Sequence, residues 1–367
     1  MMLHTPVLQF GTSRFLQAHA DLYLDEAGAG PVTVVQSSGD PARALRLTAL
    51  AHPDGYPVRV RGLVDGREVD REQRVRSVAR TLSTASDWPE ICRIMCQEAE
   101  FVLSNTGDAG YRPAAVDEAE AFRQDMSYPA KLMHLLLARF EGNPTAVQVM
   151  PLELITANGA VLKTRVLELA RGRSQDFLAW LDHEVIWANS LVDRIVSEPL
   201  KPAGAVAEPY GLWAIEAQPR LIVPCQHEAV RVVDRLEPVA ALKLYILNLG
   251  HTVMAEAWLR GGVPPLVREA VAGEQGAALR DLYETEILPG FAAAGMEDEA
   301  RAYVATTLER FANPFLDHRF ADIAENHEEK IRRRAGAFLD WARGRGDDRS
   351  KPRLEALVGR RPAGGAA

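Results

Sequence analysis

The sequence predicts an α/β domain with a mostly parallel sheet, followed by an all-helical domain. In the first part of the chain, short apolar runs typical of strands alternate with helical stretches, whereas the pattern beyond Leu236 is helical almost throughout. The chain has 367 residues, of which 47% are hydrophobic and 25% are charged, as in globular proteins. This length suits about two domains of roughly 150 residues each. We expect one domain at 1–235 and a second at 236–367.

The start of the chain predicts strand, helix, strand and helix in that order. The apolar run VLQF at 7–10 meets GTS at 11–13, and a helix follows. The β-branched run VTVVQSS at 32–38 is typical of a second strand. Strand-like segments on both sides of Asp65 and Gly66 then predict a hairpin, because Asp-Gly favours a tight turn.

The alternation resumes after the hairpin and places several loops at one edge of the sheet. FVLSNTG at 101–107 and VQVMPLELI at 147–155 predict further strands, with a helix at 131–140 between them. Ligands of open parallel sheets bind at the carboxyl ends of the strands. We therefore expect one crevice lined by the loops after residues 10, 38, 104 and 153.

The remaining chain changes from mixed to helical. We expect two helices between 160 and 198, and strands at GLWAIEA (211–217) and LIVPC (221–225). Helical patterns follow at 239–261, 264–287, 297–311 and 316–343. We expect the last few residues, in the glycine-rich GRRPAGGAA, to be disordered.

Charge and cysteine content argue against several classes of protein. Lys plus Arg number 42 and Asp plus Glu number 50, and the resulting net charge of −8 opposes binding to nucleic acid. No run approaches the roughly 18–20 consecutive apolar residues of a membrane span. Cys92, Cys96 and Cys225 are too few for a disulfide framework, and no HExxH or paired CxxC motif indicates a metal site. We expect a cytoplasmic protein with no nucleic-acid, membrane or metal partner.

The turn after the first strand is one candidate binding site. A strand, a glycine turn and a helix direct backbone amides at a ligand, which is how the pyrophosphate of a dinucleotide is bound. Gly11, Thr12 and Ser13 form this turn. Of the G-x-G-x-x-G pattern only Gly11 is present, because Ser13 and Leu16 hold the other glycine positions. An ordinary turn between a strand and a helix remains an alternative.

The segment ALKLYILNLGH is the second candidate, because it spaces Lys243, Asn248 and His251 as K-x4-N-x2-H. At about 100° per residue in a helix, Asn248 lies about 140° and His251 about 80° around from Lys243, so one broad face carries all three. Apolar neighbours would favour the neutral, basic form of the amine. Gly250 is costly inside a helix, which suggests that another group approaches the backbone there.

The rarity of lysine favours a chemical role for Lys243. The chain has 6 lysines and 36 arginines, so it uses Arg where a plain positive charge suffices. Lys can lose its proton and Arg cannot, and a general base needs that property. The alternative is an ordinary lysine that extends along its helix to solvent.

These residues resemble the polyol-specific long-chain dehydrogenases and reductases, the mannitol dehydrogenase family, whose active-site signature is K-x4-N-x2-H. Seven further blocks match the family in its order: VLQFGTSRFLQAHAD, VRGLVDG, FVLSNTGDAGY, SYPAKL, PLELITANG, LVDRIV and RFANPFLDH. They are most similar to the branch that acts on sugar acids. The resemblance implies a Rossmann-type N-terminal domain, a helical C-terminal domain, and hydride transfer between NAD and an open-chain sugar acid.

The resemblance also implies roles for individual residues. Lys243 would be the general base in oxidation and the general acid in reduction, while Asn248 and His251 would polarise the reacting oxygen. The residues expected to bind NAD are Gly11, Thr12, Ser13 and Phe15 at the pyrophosphate, and Ser104, Asn105 and Thr106 at the nicotinamide.

Asp193 and Arg310 match positions in or near the family's substrate cleft, and we expect Glu153 and Asn158, from the block PLELITANG, to line the substrate site as well. The guanidinium of Arg310 would bind a substrate carboxylate through two hydrogen bonds. An ion pair at a helix end is the alternative for Arg310, and an ion pair with Arg194 is the alternative for Asp193.

Some positions depart from the family. Mannitol dehydrogenases place an asparagine where Leu154 stands, which argues against a mannitol enzyme. Ser13 replaces the second glycine, Gln17 replaces a usual arginine, and the chain is shorter than typical members of its branch. These departures leave open a related polyol, fructuronate or sugar-phosphate dehydrogenase, or a non-catalytic sensor of a nucleotide or sugar acid.

The choice between NAD and NADP depends on the end of the second strand, where NAD enzymes often hold the ribose with an acidic residue. Here Ser37 follows the strand and Asp40 comes slightly late, and we expect both to contact the cofactor. Arg43 and Arg46 are candidates for binding the extra phosphate of NADP. The resemblance favours NAD.

Overall fold

The computed structural model describes residues 3–41 and 45–359. It divides the chain into two compact units. The first unit comprises Met1–Val60 and Arg71–Leu236, and the second comprises Arg61–Asp70 and Glu237–Ala367. The final residues expected to be disordered, 360–367, lie outside the described part.

The tip of the hairpin, Arg61–Asp70, belongs to the second unit through contacts that no local pattern indicates. The amide of Gly66 donates to Oε1 of Glu309 at 2.6 Å. Nδ2 of Asn313 donates to the carbonyl of Arg61 at 3.1 Å. The hairpin therefore contributes residues to both units.

Thirteen strands are described, of which six form the main sheet. In chain order, β1 to β13 are Val7–Phe10, Val32–Gln36, Tyr56–Val64, Arg67–Val75, Val78–Ser83, Phe101–Ser104, Gln148–Pro151, Ile186–Trp187, Ser190–Asp193, Val196–Pro199, Ala205–Ala207, Leu212–Glu216 and Val230–Val233. The main sheet has the order β5-β2-β1-β6-β7-β8, and all its neighbouring strands run parallel. The predicted parallel α/β domain is confirmed.

The main sheet is covered on both faces, which explains its continuous apolar strands. Successive side chains of β6 enter different cores: Phe101 and Leu103 belong to one hydrophobic cluster, and Val102 belongs to another. The helices of this unit are Arg14–Gln17, Ala20–Glu26, Leu47–Leu50, Trp88–Gln97, Asp108–Tyr111, Tyr128–Gly142, Asn158–Leu169 and Gln175–His183. A sheet that is covered on both faces leaves its carboxyl edge free for loops.

Two smaller sheets, β10-β11-β3-β4 and β13-β12-β9, complete the described strands. The hairpin turn lies at Asp65 and Gly66 as predicted, and both residues have positive φ, 53° and 71°. The predicted strand at 221–225 is wrong. Ile222 there donates its amide to the Gln148 side chain rather than to a neighbouring strand, and Pro224 has no amide hydrogen to donate.

The second unit is helical, as predicted, and packs around one apolar core. Its α-helices are Glu237–Leu242, Leu249–Leu259, Val267–Ala272, Glu274–Leu282, Leu288–Ala293, Glu297–Phe311, Phe320–Ile323, His327–Ile331, Ala337–Arg343 and Pro352–Val358. The pattern at 316–343 predicted one continuous helix, but Asn326 has a φ of 52° and starts a new one.

Among the described residues, three wider turns with i to i+5 hydrogen bonds each join two of these α-helices. We call Lys243–Asn248 the first π-turn, Tyr283–Ile287 the second and Arg332–Gly336 the third. Such turns are rare and occur often at functional sites. Apolar periodicity does not predict them. Among the described residues, no helix combines the length and the apolar character that crossing a bilayer requires.

Candidate active site

A cavity of about 840 Å³ opens at the carboxyl edge of the main sheet. The loops after β1, β2 and β6 line it, together with part of the segment 110–131. Of the residues expected to bind NAD, those that line it are Gly11, Thr12, Ser13, Ser37, Asn105 and Thr106. The crevice was also expected to include the loop after residue 153. That loop is not among the described lining residues, and Glu153 accepts hydrogen bonds from Ser104 and Thr106 of the neighbouring loop.

Gly11 makes the first turn of the cavity possible. Its φ is +125°, and a Cβ at this position would lie 2.7 Å from the carbonyl oxygen of Asn105. Its amide donates to Val35 at 3.0 Å. Only glycine tolerates both this backbone conformation and this close approach. The turn therefore has the tight geometry that a dinucleotide pyrophosphate requires.

Ser13, at the second glycine position, makes side-chain hydrogen bonds that a glycine could not make. Its hydroxyl accepts a hydrogen bond from the Leu16 amide at 3.2 Å and so caps the first helix. The same hydroxyl donates to Oδ1 of Asn105 at 3.2 Å. The amide group of Asn105 in turn donates to the carbonyl of Leu152 at 2.8 Å. These bonds join the loops after β1, β6 and β7.

Gln17, which replaces a usual arginine, also supports this turn. Its Nε2 donates to the carbonyl of Thr12 at 3.2 Å, and its Oε1 accepts from the Gly204 amide at 2.6 Å. The ring of Phe15, expected at the pyrophosphate, stacks on His19 at 4.6 Å.

The end of β2 is held by a residue that the sequence reasoning missed. Lys131 is 3% exposed, and its Nζ donates to the carbonyl of Ser37 at 2.6 Å, beside a second donor, Nε2 of Gln124, at 3.2 Å. Burial lowers the pKa of Lys131 to about 8. The signal available in the sequence was that lysine is rare in this chain and that Lys131 lies in the matching block SYPAKL.

The other candidates near β2 serve local structure. The carbonyl of Asp40 accepts from Nε2 of Gln36 at 2.6 Å, and its amide donates to the Ser38 hydroxyl at 3.3 Å. Arg46 lines the cavity and donates to the carbonyl of Thr12 at 3.3 Å. Arg43 lies outside the described residues.

Glu153 is a buried carboxyl that organises the loop after β6. Its two oxygens accept from the hydroxyl of Ser104 and the amide of Thr106, each at 3.0 Å. Burial raises the pKa of Glu153. Glu153 therefore fixes the two ends of this loop.

Asn158 has its side chain fully engaged by the backbone. Its Nδ2 lies 2.9–3.0 Å from the carbonyls of Pro151, Glu153 and Ser190. Its Oδ1 accepts from the amides of Gly159 and Ser190 at 3.0 and 2.8 Å. This arrangement joins the end of β7 to β9.

Asp193 lies buried at the end of β9, opposite Leu212 of β12. The guanidinium of the next residue, Arg194, donates to the carbonyls of Ala18 at 2.8 Å and Glu208 at 3.0 and 2.9 Å. Arg194 therefore lies inside the first unit rather than in a surface ion pair.

In the second unit the first π-turn contains two of the three signature residues. A turn with i to i+5 hydrogen bonds holds more residues than an α-helical turn, so each residue rotates less and Lys243 and Asn248 lie closer together around the helix axis. The expected separation of about 140° applied α-helical geometry and is corrected by the wider turn. Lys243 and Asn248 are half-buried, and His251 follows in the regular helix Leu249–Leu259.

His251 is a buried imidazole among cations. It is 7% exposed, and its ring lies 4.4 Å from Phe311 and 4.7 Å from His318. Burial lowers the pKa of His251 well below its ordinary value, and His318, Arg310 and other cations lower it further. Its Nε2 is buried without a hydrogen-bond partner among the described residues. A neutral ring with a free nitrogen suits a ligand oxygen.

Arg310 and His318 belong to the same neighbourhood of the second unit. Arg310 is 6% exposed at the end of the helix Glu297–Phe311. The sequence reasoning missed His318, although the block RFANPFLDH contains it. Among the described residues, no group of three or more His, Cys, Asp or Glu is placed to hold a metal ion.

A parallel sheet with a tight glycine turn and a cavity at its carboxyl edge defines a dinucleotide-binding protein of the dehydrogenase type. The mannitol dehydrogenase Rossmann domain matches residues 5–223, and the mannitol dehydrogenase C-terminal domain matches residues 235–351. The chain belongs to the mannitol dehydrogenase family. The predicted family, fold class and enzyme type, an oxidoreductase acting on CH–OH groups, are confirmed.

Several curated relatives share the name altronate oxidoreductase. The protein of Halalkalibacterium halodurans is 33% identical over 362 residues, covering 89% of this chain and 69% of the relative. The protein of Bacillus subtilis is 31% identical over 360 residues, covering 89% and 73%. The protein of Escherichia coli O1:K1 is 30% identical over 365 residues, with the same coverage.

Solved structures share the fold. A substrate-free D-sorbitol dehydrogenase has a TM-score of 0.83 at 18% identity, covering 97% of this chain and 79% of the other. Pseudomonas fluorescens mannitol 2-dehydrogenase, in a ternary complex with NAD and D-mannitol, has a TM-score of 0.74 at 17% identity, covering 97% and 78%.

Proposed function

We propose that this protein interconverts D-altronate and D-tagaturonate with NAD as its cofactor. The observation that carries the proposal is the buried, neutral His251 with a free nitrogen, in one short segment with Lys243 and Asn248. Relatives named altronate oxidoreductase over 89% of the chain support the substrate. The sequence blocks resemble tagaturonate reductases, which act on the same pair.

We assign cofactor binding and catalysis to two parts of the chain. Residues 1–235 bind the dinucleotide, and residues 236–367 bind the substrate and carry the acid–base groups. The turn at Gly11, Thr12 and Ser13 would hold the pyrophosphate, and Ser37 would face the adenosine ribose. The tight Gly11 turn beside a cavity of about 840 Å³ supports this fit. When bound, NAD supplies the hydride acceptor in oxidation and NADH the donor in reduction.

The acid–base work falls to Lys243. In oxidation its neutral amine takes the proton of the substrate hydroxyl, and in reduction its ammonium returns that proton to the carbonyl oxygen. Asn248 donates a hydrogen bond to the reacting oxygen. The neutral ring of His251 donates a second, so that charge developing on the oxygen meets fixed donors.

Arg310 binds the carboxylate of the substrate. Its buried guanidinium offers two parallel N–H donors, and a carboxylate would offset the surrounding positive charge that acts on His251. We therefore propose a sugar acid rather than mannitol as the substrate, in agreement with Leu154 at the asparagine position of mannitol dehydrogenases.

The test is the absorbance of NADH at 340 nm with purified protein and D-altronate, D-mannonate, D-mannitol or D-arabinitol, with NAD and then NADP. We expect activity with NAD and D-altronate. Lys243→Ala should lower kcat by at least about 10³-fold while the affinity for NADH stays unchanged, because only the proton transfer is lost. Near-normal kcat in this variant would remove Lys243 from the mechanism.

Substrate preference is tested separately with Arg310→Met. We expect kcat/KM for D-altronate to fall about 10²-fold or more, since one buried charged partner is lost, with little effect on any residual polyol activity. A wild-type preference for D-mannitol would favour a polyol dehydrogenase. NADH binding without turnover of any substrate would favour a sensor. We also propose a cytoplasmic location, which the three free thiols support.

A further inference from the structure

We propose that Tyr283 and Arg334 are positioning residues that hold open the first π-turn, and with it the relative placement of Lys243 and Asn248. This inference rests on the proposed function only for the roles of those two residues. The geometry of the turn itself is independent of the substrate.

A π-turn needs outside partners because its wider ladder displaces carbonyls from their usual helical donors. Here the amide of Leu249 donates to Leu244, five residues earlier, as well as to Ile246. The carbonyl of Ile246 therefore lies in the distorted part of the hydrogen-bond ladder. A donor from another helix that bonds to a carbonyl of this segment favours the wider turn.

Tyr283 supplies the first such group. Its ring is fully buried, and its hydroxyl donates to the carbonyl of Ile246 at 2.9 Å. Burial raises the pKa of Tyr283 above its ordinary range, so the hydroxyl keeps its proton and remains a donor. Tyr283 is the first residue of the second π-turn.

Gly250 makes the approach of Tyr283 possible. A Cβ added at Gly250 would overlap the hydroxyl of Tyr283. The group expected from the sequence to approach the backbone at Gly250 is therefore the tyrosine hydroxyl. The glycine costs about 1 kcal/mol of helix propensity and in return admits this hydrogen bond.

Arg334 supplies the second group, from the third π-turn. Its Nη1 donates to the carbonyl of Asn248 at 3.0 Å and to the hydroxyl of Thr252 at 2.9 Å. The hydroxyl of Thr252 itself donates to the same carbonyl at 3.1 Å. Two carbonyls in the second half of the first π-turn, those of Ile246 and Asn248, are thus bonded to side chains from other parts of the unit.

The π-turn changes the angle between the catalytic side chains of Lys243 and Asn248. With the wider turn in place, the angle between Lys243 and Asn248 around the helix axis is smaller than the about 140° of a regular α-helix. Losing either contact would let the segment relax toward the regular form. The base and the amide donor would then no longer address the same oxygen.

The test compares Tyr283→Phe, Gly250→Ala and the double variant. Each single change should lower kcat for D-altronate about tenfold or more, because small misplacements of catalytic groups are costly. KM for NAD should not change. Both changes remove the same hydrogen bond, so the double variant should be no worse than the more impaired single variant. The proposal would be overturned if the losses of kcat in the two single variants multiplied in the double variant, or if Tyr283→Phe left kcat unchanged.

A second readout does not depend on the substrate. Reductive methylation with formaldehyde, followed by peptide mass spectrometry across pH, compares Lys243 with the five other lysines. We expect Tyr283→Phe and Arg334→Met to change the relative labelling rate of Lys243 by about threefold or more, since its surroundings change. Changed labelling in a protein inactive on D-altronate would reject the proposed substrate and retain the positioning role. Unchanged labelling in both variants would overturn that role.

The stability control is Lys351→Met in the same unit. Lys351 and Asp347 form a buried ion pair at 2.7 Å, and neither contacts the first π-turn in the described hydrogen bonds. This variant should lose as much thermal stability as Tyr283→Phe while keeping its kcat and its Lys243 labelling. A matching loss of kcat in Lys351→Met would show that destabilisation alone explains the effect.

Discussion

Asp21 should make the stability of the first unit depend on pH. This carboxyl is 1% exposed in the helix Ala20–Glu26, and Oδ2 accepts the hydroxyl of Tyr56 at 2.8 Å. Burial outweighs its hydrogen bonds from Tyr56 and Gln9 and raises the pKa of Asp21 from 3.8 to about 7. Because the folded state binds this proton more tightly than the unfolded state, the free energy of unfolding must fall as pH rises between these values.

The magnitude follows from the two pKa values. A difference of about 3 corresponds to about 4 kcal/mol in full, of which about 2.5 kcal/mol develops between pH 5 and pH 8. Asp21→Asn keeps the shape and an acceptor for Tyr56 but has no charge to bury. The variant should therefore gain about 2.5 kcal/mol over the wild type between pH 5 and pH 8.

The assay is urea unfolding at pH 5, 6, 7 and 8, followed by circular dichroism. Asp54→Asn is the matched control, because it removes a carboxylate that is 86% exposed in the same unit. We expect its pH profile to follow the wild type. A constant difference between Asp21→Asn and the wild type across this range would mean that Asp21 stays ionised, and the reasoning would be refuted.

Two further predictions concern the cavity of the first unit. Gly11→Ala should weaken NADH binding about tenfold or more in a fluorescence titration, because its Cβ would meet Asn105 at 2.7 Å and its φ is +125°. The control Gly172→Ala, whose Cβ meets open space, should bind normally. Lys131→Met should weaken NADH binding about tenfold by releasing the carbonyl of Ser37. Lys163→Met, at a partly exposed ion pair, should not; equal losses in either pair would contradict the assigned contacts.

Local sequence patterns determined the parallel sheet and the helical second unit. Strands buried on both faces need continuous apolar residues, and such runs are visible without knowledge of their neighbours. The tight turn at Gly11 and the spacing of Lys243, Asn248 and His251 were equally local. These features depend on residues close together in the chain, so their pattern was sufficient to predict them.

Contacts between distant segments decided the rest. Lys131 meets Ser37 across 94 positions, and Tyr283 meets Ile246 across 37, so neither contact leaves a periodic signal. The π-turn that brings Lys243 and Asn248 closer around the helix axis is one that helix propensity alone does not predict, and we propose that such contacts hold it in place. The sequence by itself determined which chemical groups this protein carries and on which elements. Their orientation depended on tertiary hydrogen bonds, because a carbonyl displaced from its helical partner takes the donor that packing brings to it.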